Sequence, residues 1–294
     1  MVSLKFSVLA SLATIASVQA HMTLHYPPAF GAPNNPNTKG PGNPRLDDPY
    51  NCCGRKTVFP CQGYLNLLGT DEGRPVATWE AGSKQHFSLE GRSTHWGGSC
   101  QAGFSVDQGK TWQVATSWEG ACPHREGKHN DPETQKFEFT VPDDIPAGDQ
   151  IFAWTWINRE QEFFMTCSPI TITHPGGGNQ TIPGDDTTAP GVPGGEEDPE
   201  ETPGEADGGC SSPPRPRYHR RSISTHSHRR HTHSKTKKRA VAFQDRPSFL
   251  VANIGNGCQT PRNPVEVRYP NPGPNVVTGD GANPLGDPFP LDQC

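Results

Sequence analysis

The chain has 294 residues, a formal net charge of −5 and 31% hydrophobic residues. Beyond residue 20 no apolar run approaches the ~18 residues of a membrane span, and the polar C-terminus "DPFPLDQC" does not read as a lipid-anchor signal. No G-x-S-x-G elbow, H-E-x-x-H pair or phosphate loop occurs, which removes the commonest hydrolase and nucleotide-binding classes.

Met1 to Ala20 pairs a short region carrying Lys5 with the apolar run "FSVLASLATIASV" and a small residue at the end. That pattern predicts a secretory signal peptide over 1–20, an extracellular protein, and His21 as the first residue of the mature chain. Nine cysteines in an exported chain predict disulfides, and the odd count leaves at least one unpaired or intermolecular. Residues 27–60, rich in Pro, Asn and Gly, read as one long ordered loop. The segments "HFSLEG", "KFEFTVP", "IFAWTWIN" and "PITITH" alternate with period two, and "FSVDQGKTWQV" reads as two strands turning at Asp107-Gln108-Gly109. The expected fold for 21–175 is therefore all-β, an immunoglobulin/fibronectin-like antiparallel β-sandwich with long loops.

Residues 176–239 change character. An acidic Gly/Pro block carrying the glycosylation acceptor Asn179-Gln180-Thr181 gives way to a stretch with ten Lys and Arg and five His and no acid. Such composition cannot bury enough apolar surface to order itself, so a disordered linker is expected. The basic stretch lacks interleaved aromatics, so no nucleic-acid partner is expected. Lys238-Arg239 also offers a processing site. Residues 240–294 form a short cysteine-containing segment, too small to be stable unaided.

Two histidines stand out chemically. A chain cut after Ala20 gives His21 a free amine beside its imidazole, two nitrogen donors from one residue. His95, in "STHWGGSCQ", sits on a Gly-rich turn before a cysteine. Three nitrogens of this kind suit Cu(II), which favours tetragonal nitrogen coordination. The polar loop around His124 and His129 reads as solvent-exposed, nothing links His25 to the pair, and Asp143-Asp144 in "PDDIPAG" reads as turn chemistry. In the 27–60 loop and its approach, Tyr26, Phe30 and Tyr50 read equally well as platforms exposed to stack on sugar faces or as buried rings.

The blocks "HMTLHYPP", "PCQGYLNLLGT", "ATWEAG", "HWGGSCQAGFSVDQGKTWQV", "IPAGDQIFAWTWIN" and "EFFMTC" resemble, in order, the fungal lytic polysaccharide monooxygenases of auxiliary activity family eleven, the chitin-active group. The tail "VANIGNGC" with "YPNPGP" resembles segments downstream of the linker in such proteins. The resemblance implies one copper per chain in a histidine brace, with the amine and Nδ1 of His21 and Nε2 of His95 as ligands. It implies oxidative cleavage of insoluble chitin or a related polysaccharide, oxidised at C1, with an external electron donor and peroxide or dioxygen. Glu162 matches the acidic residue that orients an oxygen species or passes a proton. Phe164 stands where the family usually has a tyrosine on the axial side of the metal, which puts the reduction potential and any radical-holding role in question. The resemblance also pairs Cys61 with Cys167 and Cys100 with Cys122. A monomer is expected. Two other readings remain open at this point: a secreted copper-capture protein of the same fold without catalysis, favoured by the His-rich stretch, and a non-metal wall-adhesion sandwich.

Overall fold

Alternating apolar residues place one side of each strand against the core, and here the rule builds two facing layers. The structure, a computed structural model, describes residues 21–176 and 241–294, which fall in one compact unit. The smaller layer has strands β1 (Met22–Tyr26), β3 (Lys84–Gly91) and β6 (Lys136–Thr140), antiparallel in the order β1-β3-β6. The larger contains β2 (Ala77–Glu80), β4 (Ser99–Ser105), β5 (Gln113–Glu119), β7 (Gly148–Ile157), β8 (Phe163–Thr173) and β10 (Val276–Thr278) in the order β10-β5-β4-β7-β8-β2. β9 (Glu266–Val267) and β11 (Leu285–Gly286) pair apart from these.

The expected antiparallel pairing holds through β5-β4-β7-β8. At the two edges it does not: β2 runs parallel to β8, and β10 parallel to β5. Parallel neighbours need long connections, and both edge strands have them, β2 arriving before the hairpins and β10 long after. The β4–β5 turn sits where the sequence places it. Asp107 Oδ1 accepts from the backbone N–H of Lys110 and Thr111, and Gln108 and Gly109 take φ values of 64° and 84°.

Between the layers lies an aromatic core. Trp79 meets Phe139 and Phe152 edge-on at 5.5 and 5.1 Å, and Phe87 meets Trp118 at 5.2 Å. Edge-to-face contact of this kind adds to the burial of each ring. Phe137, Phe139, Val141, Phe152, Trp154 and Trp156, the residues the alternation assigns inward, are all buried.

In the middle of the larger layer the outward positions are buried as well. Every residue of β4 is inaccessible, including Ser99, Gln101 and Ser105. Phe249, Leu250, Ala252, Val267 and Tyr269 pack over Val114, Ile151, Ala153 and Met165 in a second core, which Phe30, Tyr50 and Cys61 extend. The same cover answers the polar groups beneath it. Gln101 Oε1 accepts from Leu250 N at 2.8 Å, Glu119 Oε1 accepts from Tyr269 N at 2.8 Å, and Ser99 Oγ donates to the Val267 carbonyl at 2.7 Å. A buried polar group left unpaired would be costly, so these contacts make the cover specific rather than merely apolar.

Disulfides join Cys61 to Cys167 and Cys100 to Cys122, as the family resemblance implies, with further bridges Cys52–Cys53 and Cys258–Cys294. All cysteines among the described residues are paired; Cys210, Asn179, the basic histidine stretch and the first twenty residues lie outside them. Among the described residues no helix is long and apolar enough to cross a membrane. A chain ending at residue 176 would expose the outer face of β4, β5, β7 and β8. It is expected to bind a hydrophobic dye and to lose its cooperative thermal transition; an unchanged melting curve would show that the face needs no cover.

Candidate metal centre

His21 precedes β1, the edge strand of the smaller layer. The register Met22↔Gly91 and a 2.7 Å bond from Arg92 N to the His21 carbonyl fix its backbone. The side chain is buried, 2% exposed for the residue. Nδ1 accepts from Arg92 Nη2 at 2.8 Å and lies 3.0 Å from Asp48 Oδ1.

His95 sits on the loop between β3 and β4. Here the backbone enters the left-handed region at two consecutive non-glycine residues, His95 at φ 48° and Trp96 at φ 58°. Such geometry costs free energy and persists only where neighbours over-determine it. Three restraints do so. Trp156 Nε1 donates to the Gly97 carbonyl at 3.1 Å, Glu266 Oε1 accepts from Gly98 N at 2.8 Å, and Arg125 donates to the Trp96 carbonyl. Gly98, at φ 126°, is obligatory: a Cβ there would stand 2.5 Å from both the Ile157 carbonyl and the Trp156 indole nitrogen.

The two imidazoles come together across this edge. Their centroids are 6.3 Å apart and their planes differ by 22°. Phe164 is 6.0 Å from the His21 ring and stacks on Trp156 at 4.3 Å, and Trp156 lies 5.7 Å from His95. The register Trp156↔Phe164 between β7 and β8 supplies this platform. Phe164 is 1% exposed, so its ring closes the site from inside. Glu162 Oε2 lies 3.4 Å from His95 Nε2 and accepts from Asn158 Nδ2 at 2.6 Å.

Carboxylates surround both rings. Glu160 Oε2 is 3.2 Å from His95 Nδ1, and Asp47 and Asp48 hold Arg92 beside His21. Burial, then the Arg92 charge, hold the His21 imidazole below the ordinary histidine value, against the pull of Asp47, Asp48 and Glu162. Burial raises the Glu160 carboxyl, but the hydrogen bond and charge of His95 outweigh it and leave the group below its usual range. A neutral imidazole is the form a metal takes. Metal–imidazole bonds are about 2 Å, so rings at this separation would reach one ion together once His21 Nδ1 turned away from Arg92 and Asp48. The ligand atoms of His21, Asp47 and Asp48 also lie within 4.8 Å of one another. Arg92 and Arg55 already pair with those carboxylates, which makes ion pairing their evident role.

No protein-family model matches the chain. Among curated proteins it is 32% identical over 169 residues to "AA11 family lytic polysaccharide monooxygenase A" of Aspergillus fumigatus, covering 56% of this chain and 71% of the relative. The chain belongs to the AA11 family of lytic polysaccharide monooxygenases. Its members are copper-dependent oxidoreductases. An AA11 lytic polysaccharide monooxygenase of Aspergillus oryzae is 27% identical over 286 residues, 93% of this chain and 52% of that protein. A further member of the family from Aspergillus fumigatus, lytic polysaccharide monooxygenase B, is 28% identical over 234 residues, 76% of this chain and 43% of that protein. The chain thus spans about half the length of these last two relatives.

Of the residues singled out in this AA11 sequence, His21, His95, Glu162 and Phe164 lie together. Phe30 and Tyr50 do not serve as exposed sugar platforms: both are buried in the second core, and the Tyr50 hydroxyl accepts from Gln62 N at 2.9 Å. Tyr26 is half-buried and stacks on His86 at 4.9 Å. His25 pairs with Glu90 at 2.9 Å, His124 stacks on Phe137 at 4.2 Å and His129 is exposed, each away from the cluster's contacts. The sequence gives no sign of Asp47, Asp48, Arg92 or Glu160, which meet the histidines only through loop geometry. Nor does it signal Glu266, which lies beyond the linker. Arg125 and Glu266, with side chains 9% and 1% exposed, pair at 2.7 Å. Removing Glu266 leaves Arg125 with Asp280 alone and Gly98 N without its acceptor, so Glu266→Ala is expected to lower stability by about 2–3 kcal/mol. Denaturant titration of the full chain measures this, and a loss below 1 kcal/mol would refute the anchoring role.

Proposed function

We propose that removal of residues 1–20 frees the amine of His21 and that this amine, the His21 ring and the His95 ring together hold one copper ion. In this reading the exported, monomeric enzyme oxidises insoluble chitin at C1, with an external electron donor and peroxide or dioxygen. The observation that carries it is the pairing of two histidines, one of them neutral by burial, at 6.3 Å on an edge backed by Phe164. Chitin and C1 oxidation follow from the resemblance of the motif blocks to the chitin-active group.

Copper cycled between Cu(II) and Cu(I) supplies one-electron chemistry that activates the oxidant toward a sugar C–H bond. The protein's own residues do the rest. Glu162, fixed by Asn158, places a carboxylate at the Nε2 edge of His95, where it orients a small polar reactant or carries a proton. Phe164 offers neither donor nor acceptor and keeps water from the inner side. Glu160 supports His95 through Nδ1, setting which ring nitrogen is left for a metal. Chelation by the amine together with Nδ1 requires the His21 ring to turn about its Cβ–Cγ bond, because Nδ1 here faces Arg92 and Asp48. Arg92 remains paired with Asp47 and Asp48 when it does.

The expected outcome is one copper per mature chain, a tetragonal electron spin resonance signal with nitrogen splitting, and aldonic-acid oligosaccharides from chitin when reductant and peroxide are supplied. His95→Ala should lower copper affinity at least a hundredfold and abolish those products. A chain confirmed by mass to start at His21 that takes up no copper would overturn the reading.

A further inference from the structure

We propose that the indole of Trp96 is a stacking platform for one pyranose ring of the polysaccharide, immediately beside the copper ligand His95. The proposal rests on the functional reading above and adds a substrate contact to it. Five of the six tryptophans, Trp79, Trp112, Trp118, Trp154 and Trp156, are at most 7% exposed, whereas Trp96 is 72% exposed. Indole surface left in water forgoes a large burial gain, and here it stands beside a candidate metal ligand on a backbone held by Arg125 and Trp156, a combination that points to a binding role. Among the exposed large apolar side chains of the described residues, Trp96 alone is adjacent in sequence to a candidate metal ligand.

The backbone beneath it is held unusually firmly. Trp96 sits at φ 58°, its carbonyl receives Arg125, and the next two residues are held by Trp156 and Glu266. Arg125 is itself fixed by Glu266 at 2.7 Å and by Asp280 at 2.9 Å. A pre-positioned platform loses little freedom when a ligand arrives. The occupant follows from the surroundings. Glu160 and Asp280, with side chains 41% and 45% exposed, make the rim acidic, and the nearby guanidinium is already neutralised. An anionic polymer would be repelled there. A neutral β-linked sugar is not, and it offers the flat array of C–H groups that an indole face accepts.

The test uses the full mature chain. In metal-free protein, where the other indoles are buried, a soluble hexamer of N-acetylglucosamine should shift the emission of Trp96, and Trp96→Ala should remove that shift. Retention on insoluble chitin should fall roughly tenfold for Trp96→Ala, equivalent to about 1.4 kcal/mol, with Trp96→Phe intermediate. Copper stoichiometry and the spin resonance spectrum should be unchanged in both variants. Retention of Trp96→Ala equal to wild type would overturn the proposal, as would a variant that also loses its copper signal, since Trp96 would then act through His95. A shift with the glucose hexamer and none with the N-acetylglucosamine hexamer would uphold the platform while removing chitin as substrate. Wild-type protein that binds no polysaccharide would end the substrate reading and this platform together.

Discussion

Glu266 carries a carboxylate into a site where its side chain is 1% exposed, and Arg125 meets it with two parallel bonds. Burying a charge is tolerable only with such a partner and further hydrogen bonds. Gly98 N supplies one of these, so a single carboxylate joins the C-terminal segment to the turn that carries His95. The same segment reaches the other site-bearing loop, where Asn263 N donates to the Arg159 carbonyl and Gln161 donates to the Thr260 carbonyl. Both loops flanking the histidines are therefore shaped by residues at least 99 positions away. A local error in the segment would be felt at the site before it was felt in the sandwich.

The site divides its labour by polarity. Below the histidines lie Phe164 and Trp156, rings with no charge to offer. Around them stand Asp47, Asp48, Glu160 and Glu162, tempered by Arg92. Burial and the Arg92 charge hold the His21 ring below the ordinary histidine value, while Asp47, Asp48 and Glu162 pull the other way.

Much of this was legible in the chain, for physical reasons that differ by element. The inward face of β7 announced itself because Phe152, Trp154 and Trp156 alternate with smaller residues, and the Asp107 turn because its side chain caps its own backbone. The outer face of β4 was not legible. Ser99, Gln101 and Ser105 carry no sign of burial in the sequence, because their partners are backbone and side chains supplied mostly by tertiary structure. The parallel edges were hidden for the same reason, since period-two patterning fixes a strand's faces and says nothing of its neighbour's direction. His21 and His95 stood out because a leader-like apolar run and a glycine turn are local signals, and the structure brings their rings to 6.3 Å. Phe30 and Tyr50 stayed open between surface and core until the structure buried them, because an aromatic residue in a loop looks the same whether the loop folds inward or outward.

The disulfides add a topological point. Cys52–Cys53, Cys61–Cys167 and Cys100–Cys122 lie within residues 21–176, and Cys258–Cys294 lies within 241–294. Among the described cysteines none joins one part to the other. Among the described residues, apart from the peptide chain that connects them, the two parts cohere through non-covalent contacts: the two cores, the β10–β5 pairing and other shared hydrogen bonds, and the pairs of Arg125 with Glu266 and Asp280. In covalent terms the molecule is a two-piece assembly written on one strand, so a cut between the pieces would turn their union from an intramolecular event into a concentration-dependent one.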